Sequence, residues 1–213
     1  VANVLADMAV EVEAATLLAL RVAKAADHLE SNAQERAFAR VTTPVAKFFN
    51  CSRAPAIANE ALQCHGGNGF IEENPMARVF RESPLNSVWE GTANMMCMDV
   101  RRAMQRDAAC RDAVLTEFSD VRGQDARFDG FVRQLGGLLD ASLQDEFLAR
   151  QTSEAIARAV QGAELLRHST PEVIDVFMKT RLGLGAGAMF GALGPSISKA
   201  QTDRIVRRAN VVR

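Results

Sequence analysis

The 213-residue sequence has no tyrosine, one tryptophan and only three histidines. No stretch alternates β-branched and polar residues, so no β-strand is predicted. The four cysteines form no Cys-x-x-Cys pair, and the histidines are too far apart in sequence to share a metal, so we expect free thiols and no metal site. The longest uncharged run, residues 182–198, is interrupted by glycines and is shorter than the roughly 20 apolar residues of a membrane span.

Excess charge of either sign is also missing. Lysine and arginine number 25 against 26 aspartates and glutamates, so no overall positive field attracts nucleic acid or an anionic membrane, and any such partner needs a local patch. The sequence begins with Val1 rather than methionine, within a helical pattern that has no cap residue before it. We therefore expect a piece of a longer protein. The cysteine pattern leads us to expect the reducing cytoplasm.

Helix-forming sequence is abundant. Residues 3–28 contain neither glycine nor proline, which predicts a first helix. Its polar residues form a narrow stripe, so neighbouring helices should bury most of it; the stripe comprises Asn3, Asp7, Glu11, Arg21, Lys24 and His28. Ser31 and Asn32 offer cap chemistry for a second helix over about residues 33–64, with a kink or break at Pro44.

Residues 65–90 contain three glycines and two prolines and show no period, which predicts a long irregular connection of the kind that is usually functional. Thr92 is then a candidate N-cap for a helix to about residue 108. Shorter helices follow at about 112–121, 125–139, 143–167 and 171–181. The predicted fold class is all-α, an antiparallel helical bundle over residues 1–111 with a helical C-terminal extension, residues 112–213, packed on it.

The first candidate site is the glycine-rich stretch 63–70, Gln-Cys-His-Gly-Gly-Asn-Gly-Phe. Three glycines allow the backbone to approach another group closely, and its N–H groups could line an anion such as a pyrophosphate. The alternative is a helix C-cap followed by a tight turn, because glycine is the usual residue after a helix end.

The second candidate site is residues 87–92, Ser-Val-Trp-Glu-Gly-Thr. Val88 and Trp89 should shield the carboxyl of Glu90 from water, which would raise its pKa and make it a better proton acceptor. The alternative is an acid near a helix N-terminus that only complements the helix dipole.

Residues 61–70, Arg81-Glu82 and residues 89–92 together resemble the C-terminal helical domain of the acyl-CoA dehydrogenase family of flavoproteins, and residues 5–15 match one helix of that bundle. The resemblance covers residues 1 to about 110. The run 81–91 and the helices after residue 112 are similar to the alkylation-response branch, whose members carry such an extension.

The resemblance implies FAD as cofactor and an acyl-CoA thioester as substrate. Glu90 falls on the base that removes the α-proton while the β-hydrogen leaves as hydride to the flavin, and its backbone N–H falls on one of two donors to the thioester carbonyl. Trp89 and Gly91 fall beside the substrate. The FAD-contacting positions fall on Gln63, Cys64, His65, Gly66 and Gly67 and on Thr92, Ala93 and Asn94.

The resemblance also implies upstream domains and a first bundle helix that are absent here, so the isolated chain is expected to be inactive. It implies a homodimer or homotetramer, in which the glycine-rich loop serves the cofactor of a neighbouring subunit. An electron-transfer flavoprotein is a candidate partner.

Three functions stay open. The first is the dehydrogenase. The second is a flavoprotein with weak activity that binds DNA through its basic C-terminal segment, 199–213, with Arg204, Arg207 and Arg208; this segment is otherwise a solvated helix face. The third is an inactive oligomerisation module that associates through its first two helices and the helix after Thr92, where the missing domains leave an apolar face exposed.

Overall fold

The computed structural model describes residues 1–183 and 189–210. These residues form helices and turns without a strand, so the all-α class is confirmed. Short 3-10 turns lie at Ser83–Ser87 and Glu146–Leu148, and a π turn, Met178–Leu182, follows α9. In chain order the α-helices are α1 (Ala2–Ala26), α2 (Ala33–Cys64), α3 (Gly67–Phe70), α4 (Pro75–Glu82), α5 (Ala93–Arg106), α6 (Ala108–Thr116), α7 (Ala126–Gln144), α8 (Ala149–His168), α9 (Pro171–Phe177) and α10 (Lys199–Ala209).

Helix α2 is the central element. The predicted cap is present, because the Asn32 side chain accepts hydrogen bonds from the backbone N–H groups of Gln34 and Glu35. The helix continues through both Pro44 and Pro55, so it does not break at Pro44. Pro44 is buried and α2 packs against most of the other helices, and this packing outweighs the backbone hydrogen bond that a proline removes.

After α2 the chain turns and runs back along it, through α4, the first 3-10 turn, α5 and α6. The end of α2 therefore carries the glycine-rich loop, and the middle of α2 lies beside the segment that contains Glu90. Three hydrogen bonds mark this antiparallel course: Lys47 Nζ to Asn86 O (2.5 Å), Arg40 to the Asp99 carboxylate (2.7 Å) and Gln34 Nε2 to Ala113 O (3.2 Å).

The prediction of an irregular connection over residues 65–90 is wrong in large part, since α3, α4 and a 3-10 turn occupy it. The two prolines in this stretch count as evidence against a helix when the sequence is considered alone. Pro75 is the first residue of α4, and Pro84 lies in the first turn of the 3-10 segment. At those positions a proline needs no N–H donor, so it begins a helix rather than preventing one.

Only part of the polar stripe of α1 faces solvent, since Asn3, Lys24 and His28 are exposed. Asp7, Glu11 and Arg21 are buried, each in ion pairs with side chains of other elements. The opposite side of α1 leaves Leu5 and Val12 exposed. Helix α1 is thus covered on the side that faces α2, α8 and α10, and the expectation that neighbours bury most of it holds for that side alone.

The C-terminal half packs on this core. Helices α7 and α8 form a pair, and α8 contacts α1, α2 and α5. The rings of Phe118 and Phe128 pack edge to face, with centroids 5.9 Å apart. One hydrophobic cluster joins both halves of the chain. Helix α6 runs across the boundary predicted at residues 111 and 112. The division into a bundle and an extension stays a prediction.

The four cysteines are free, as expected. Cys97 and Cys110 are buried, and desolvation raises the pKa of both thiols. Across residues 1–183 and 189–210, no helix has both the length and the apolar character needed to cross a membrane. Gly185 and Gly187 of the uncharged run, and Arg213 of the basic segment, lie outside the described residues.

Candidate functional site

Glu90 lies in a short connection between the first 3-10 turn and α5. Its φ is 54°, the only positive φ of a non-glycine residue in the described part of the chain. Such a conformation costs on the order of 1 kcal/mol or more and persists only where the surroundings impose it. Strained residues of this kind cluster at functional sites, so the backbone itself marks Glu90 as a candidate.

The residue after Glu90 has to be glycine. Gly91 has a φ of 117°, and a Cβ atom built on it would lie 2.4 Å from Cε of Met96. The Met96 side chain therefore packs directly on the Gly91 backbone. This contact lies immediately downstream of Glu90.

Glu90 lines an open cleft of about 640 Å³ between α2 and α5, which the end of α1 closes on one side. The walls combine apolar atoms, such as those of Leu29 and Met96, with the side chains of Arg40 and Lys47. A carboxylate at the edge of such a cleft can reach a group that enters it. The cleft is thus the part of this chain where Glu90 can meet a ligand.

The cationic side chains of the cleft are already engaged within the protein. Arg40 makes a two-bond pair with Asp99, at 2.7 and 2.8 Å, and the hydrogen bonds from Arg40 lower the pKa of that carboxyl. Arg36 donates to the backbone carbonyl of Leu29 at 3.1 Å. The cleft wall is therefore held by defined contacts before any ligand arrives.

The expected shielding of Glu90 by its neighbours is wrong for this chain. Val88 is 57% exposed and Trp89 is 56% exposed, and Glu90 itself is exposed. These apolar side chains point outward, so they offer a surface rather than a cover. A dry environment for the carboxyl would require another surface packed against them.

The glycine-rich loop is both a helix end and an exposed turn. Gly66 has φ 60° and ψ −144°, a conformation open to glycine alone, and its N–H donates to the carbonyl of Gln63 at the end of α2. A Cβ on Gly69 would lie 2.1 Å from the Leu62 carbonyl oxygen. The tight-turn alternative is therefore correct as a description of the backbone.

The same loop also has the features of a binding surface. Gln63, Cys64, His65, Gly66 and Gly67 are all exposed, and a Cβ on either glycine would meet nothing within 4 Å. The stretch contains no carboxylate, which suits an anionic ligand. The cap and the binding interpretation are compatible, because the cap uses one face of the loop and leaves the other to solvent.

The structure does not bring the two candidate sites together. The cleft lies beside Thr43 and Lys47, whereas the loop follows Cys64, so roughly 25–30 Å of helix separates them at the usual rise per residue. One ligand site built from this chain alone does not contain both Glu90 and the glycine-rich loop.

The predicted positions after Glu90 are at the start of α5. Thr92 occupies the N-cap position, but its side chain makes no capping hydrogen bond. Thr92 and Asn94 are exposed and Ala93 is half-buried. These side chains are accessible beside Glu90, so they share its surface.

The three arginines predicted to contact DNA lie on α10. Arg204 pairs with Glu172 at 2.9 Å, and Arg208 pairs with Glu13 of α1. These acids neutralise part of the positive charge that the sequence suggested. DNA binding stays a prediction.

Lys47 is not among the site residues predicted from the sequence. Its ammonium donates to the backbone carbonyl of Asn86, 39 residues along the chain and four residues before Glu90. A lysine on a helix has no local pattern that identifies such a distant partner.

Residues 1–105 match the family model described as the acyl-CoA dehydrogenase C-terminal domain. The chain is 35% identical over 185 residues to the putative acyl-CoA dehydrogenase AidB of Escherichia coli K12, which is 87% of this chain and 34% of that protein. It is 32% identical over 98 residues to CarC, a subunit of the caffeyl-CoA reductase-Etf complex of Acetobacterium woodii, which is 46% of this chain and 24% of that protein.

Among solved structures, Caenorhabditis elegans ACDH-11 in complex with C11-CoA superposes with a TM-score of 0.70 at 22% identity, covering 96% of this chain and 39% of that one. This likeness shows the shared fold. The chain spans 24–39% of the length of these relatives. The predicted resemblance is confirmed: the chain belongs to the acyl-CoA dehydrogenase family, with the family's C-terminal domain in residues 1–105, in the alkylation-response branch.

Proposed function

We propose that this chain is the C-terminal part of an FAD-dependent acyl-CoA dehydrogenase, in which Glu90 is the base that removes the α-proton of an acyl-CoA thioester. The observation that carries the proposal is the backbone of Glu90. A carboxylate held at φ 54° on the edge of an open cleft is exposed without an ion-pair partner among the described residues. Its conformation has no evident structural benefit, which favours a chemical role.

The residues present fit the cofactor that the family uses. The glycine-rich loop, Gln63 to Gly67, presents an exposed backbone and no carboxylate to the FAD pyrophosphate, although the N–H groups of His65 and Gly66 are donated within the turn. Thr92, Ala93 and Asn94 present a second accessible surface beside Glu90. When bound, FAD supplies the acceptor for the hydride that leaves the β-carbon.

The chain's own residues handle the proton. Glu90 accepts the α-proton through a carboxylate oxygen, and its direction is set by the strained backbone and by the packing of Met96 on Gly91. The backbone N–H of Glu90 is the proposed donor to the thioester carbonyl, where negative charge develops as the proton leaves. Trp89 and Gly91 line the substrate side of this connection.

The exclusion of water from Glu90 has to come from outside this chain. Eight of the exposed large apolar side chains lie between residues 70 and 95. Leu85, Val88, Trp89 and Met95 are close to Glu90 in sequence, whereas Phe70 and Ile71 follow the glycine-rich loop. We assign their cover to the upstream domains and to a second copy of the protein. Residues outside this region, such as Leu5 and Val12 of α1, contribute a smaller apolar surface to self-association.

A second copy also accounts for the separation of the two candidate sites. The glycine-rich loop lies too far from Glu90 of its own chain to share one cofactor pocket with it, so the loop serves the cofactor of another copy. An electron-transfer flavoprotein is the proposed electron acceptor, in keeping with the Etf complex to which the similar protein CarC belongs. The proposed compartment is the cytoplasm.

The test is Glu90→Gln in the full-length flavoprotein, with the flavin spectrum recorded anaerobically before and after addition of a panel of acyl-CoAs. The variant should keep its FAD and lose acyl-CoA-dependent bleaching, because the amide cannot accept the proton. Glu82→Gln, which changes an exposed acid in the preceding helix, is the matched control and should bleach normally. Bleaching by the Glu90→Gln variant at the unchanged rate would refute the assignment.

A further inference from the structure

The segment that carries Glu90 has one long-range hydrogen bond to the rest of the described structure. Lys47 Nζ donates to the backbone carbonyl of Asn86 at 2.5 Å. The other hydrogen bonds of residues 83–92 join near neighbours, such as Ser87 Oγ to the Pro84 carbonyl and the Trp89 N–H to the Leu85 carbonyl. The segment is therefore folded on itself and fastened to α2 by a single polar contact.

The position of this contact suits a constraint on Glu90. Asn86 lies near the end of the 3-10 turn, where carbonyl groups lack helical partners and carry partial negative charge. A lysine ammonium satisfies one of them with a charge-assisted hydrogen bond. Four residues later the chain adopts the left-handed conformation of Glu90, which persists only where it is held on both sides.

The two sides are held differently. Downstream, the Met96 side chain packs on Gly91, whose φ of 117° disfavours any residue other than glycine. Upstream, Lys47 fixes the Asn86 carbonyl to α2. Lys47 is itself well anchored, because its neighbour Phe48 is buried in the core of the bundle.

Lys47 is also the cleft cation best placed for this task. Arg40 is committed to the Asp99 carboxylate and Arg36 to the carbonyl of Leu29 on the α1–α2 connection. Only Lys47 among these three donates to the segment that carries Glu90.

We propose that Lys47 is a positioning residue for the base. It contacts neither substrate nor cofactor in this proposal, which rests on the function assigned above to Glu90. It fixes the Asn86 carbonyl, and thereby the direction in which the Glu90 carboxylate enters the cleft. Since a misdirected base slows proton removal without changing how the thioester binds, the loss of Lys47 should lower kcat and leave KM nearly unchanged.

The experiment compares Lys47→Met and Lys47→Arg in the full-length flavoprotein. Methionine keeps an unbranched stem of similar length and removes the donor, so the bleaching rate at saturating acyl-CoA should fall about 10- to 100-fold. The half-saturating acyl-CoA concentration, the FAD content and the melting temperature should stay at the unchanged protein's values. Arginine restores a charged donor and should recover most of the rate.

The matched control is Lys24→Met, which removes an exposed lysine of α1 and should change none of these quantities. A Lys47→Met protein that bleaches at the full rate would overturn the positioning role. So would a rate loss that comes with lost FAD or a lowered melting temperature and that Lys47→Arg does not reverse, because that pattern belongs to a purely structural contact.

The two proposals fail separately. If Glu90→Gln still bleaches, the assigned function fails, and the role of Lys47 fails with it. If Glu90→Gln is inactive while Lys47→Met is fully active, only the positioning role is refuted.

Discussion

The acids of α1 and the acid before α5 occupy opposite environments in one small protein. Asp7 and Glu11 are buried, with side chains 5% and 6% exposed, and both pair with Arg181 from the C-terminal half, at 2.6 and 2.9 Å. Glu90 is exposed, lies on a strained backbone and lines an open cleft. The first two hold the halves of the chain together, and the third is left available.

This contrast shows how to separate structural acids from functional ones. The charge of a buried carboxylate with complete ion pairs is neutralised by its partners within the fold, so removal of the carboxylate affects stability. An exposed carboxylate on a strained backbone makes no stabilising contact in the fold, so its removal should affect the chemistry alone.

The largest effect is expected at the buried pairs. Arg181→Met leaves Asp7 and Glu11 facing each other with less compensation, and should lower the free energy of unfolding by about 3–5 kcal/mol. Urea unfolding measures this. Arg78→Met removes an exposed pair, with side chains 76% and 63% exposed, and should cost less than about 1 kcal/mol. Equal effects of the two substitutions would contradict the expected difference between buried and exposed ion pairs.

The loss of stability in Arg181→Met should depend on pH. Burial by itself raises the pKa of Glu11. The attraction of Arg181 and Arg53 and their hydrogen bonds lower it by more than burial raises it, so the pKa lies below the ordinary 4.5. The folded state therefore binds the proton less well than the unfolded state. The network stabilises the protein above pH 4.5 and loses this contribution as the pH falls through the lowered pKa, so the deficit of Arg181→Met should shrink in acid.

The sequence could predict the local features of the fold. The helices, the Asn32 cap and the all-α class follow from composition and periodicity, which act over a few residues. It could not predict that Asp7 and Glu11 of the polar stripe face inward, because their partner is Arg181, about 170 residues away in sequence.

The same limit applies to the candidate site. The glycine pattern and the Trp-Glu-Gly-Thr run indicated Glu90 and the loop at 63–70, and the positive φ of Gly66 follows from its position after a helix. The exposure of Trp89, the contact of Lys47 with Asn86 and the separation of the two sites depend on how α2 packs. No local pattern encodes that packing.

Two glycines of the loop should respond differently, with an effect of intermediate size. Gly69→Ala places a Cβ 2.1 Å from the Leu62 carbonyl oxygen, so the end of α2 must shift and stability should fall by about 1–3 kcal/mol. Gly67→Ala meets nothing within 4 Å, and its melting temperature should not change. In the full-length flavoprotein, Gly67→Ala should nevertheless retain less FAD.

A mixed oligomer locates the copy that this loop serves. When Gly67→Ala and Glu90→Gln subunits are co-expressed, a loop that serves a neighbour gives some sites with both an intact loop and an intact Glu90, so part of the activity returns. If each loop served its own chain, no site would be intact in both respects, and the mixture would be no more active than the average of the two parent variants.

The smallest effect is expected on α10, where the charges are exposed and partly paired. Replacement of Arg204, Arg207 and Arg208 by alanine removes the pairs with Glu172 and Glu13, whose arginine side chains are 55% and 41% exposed, so each pair should cost less than about 1 kcal/mol. Because acids of α1 and α9 already neutralise two of the three charges, we expect the triple variant to bind duplex DNA as the unchanged protein does. Retention on DNA that falls with salt in the unchanged protein and disappears in the triple variant would instead assign α10 to phosphate contacts, because each lost contact would reduce counterion release.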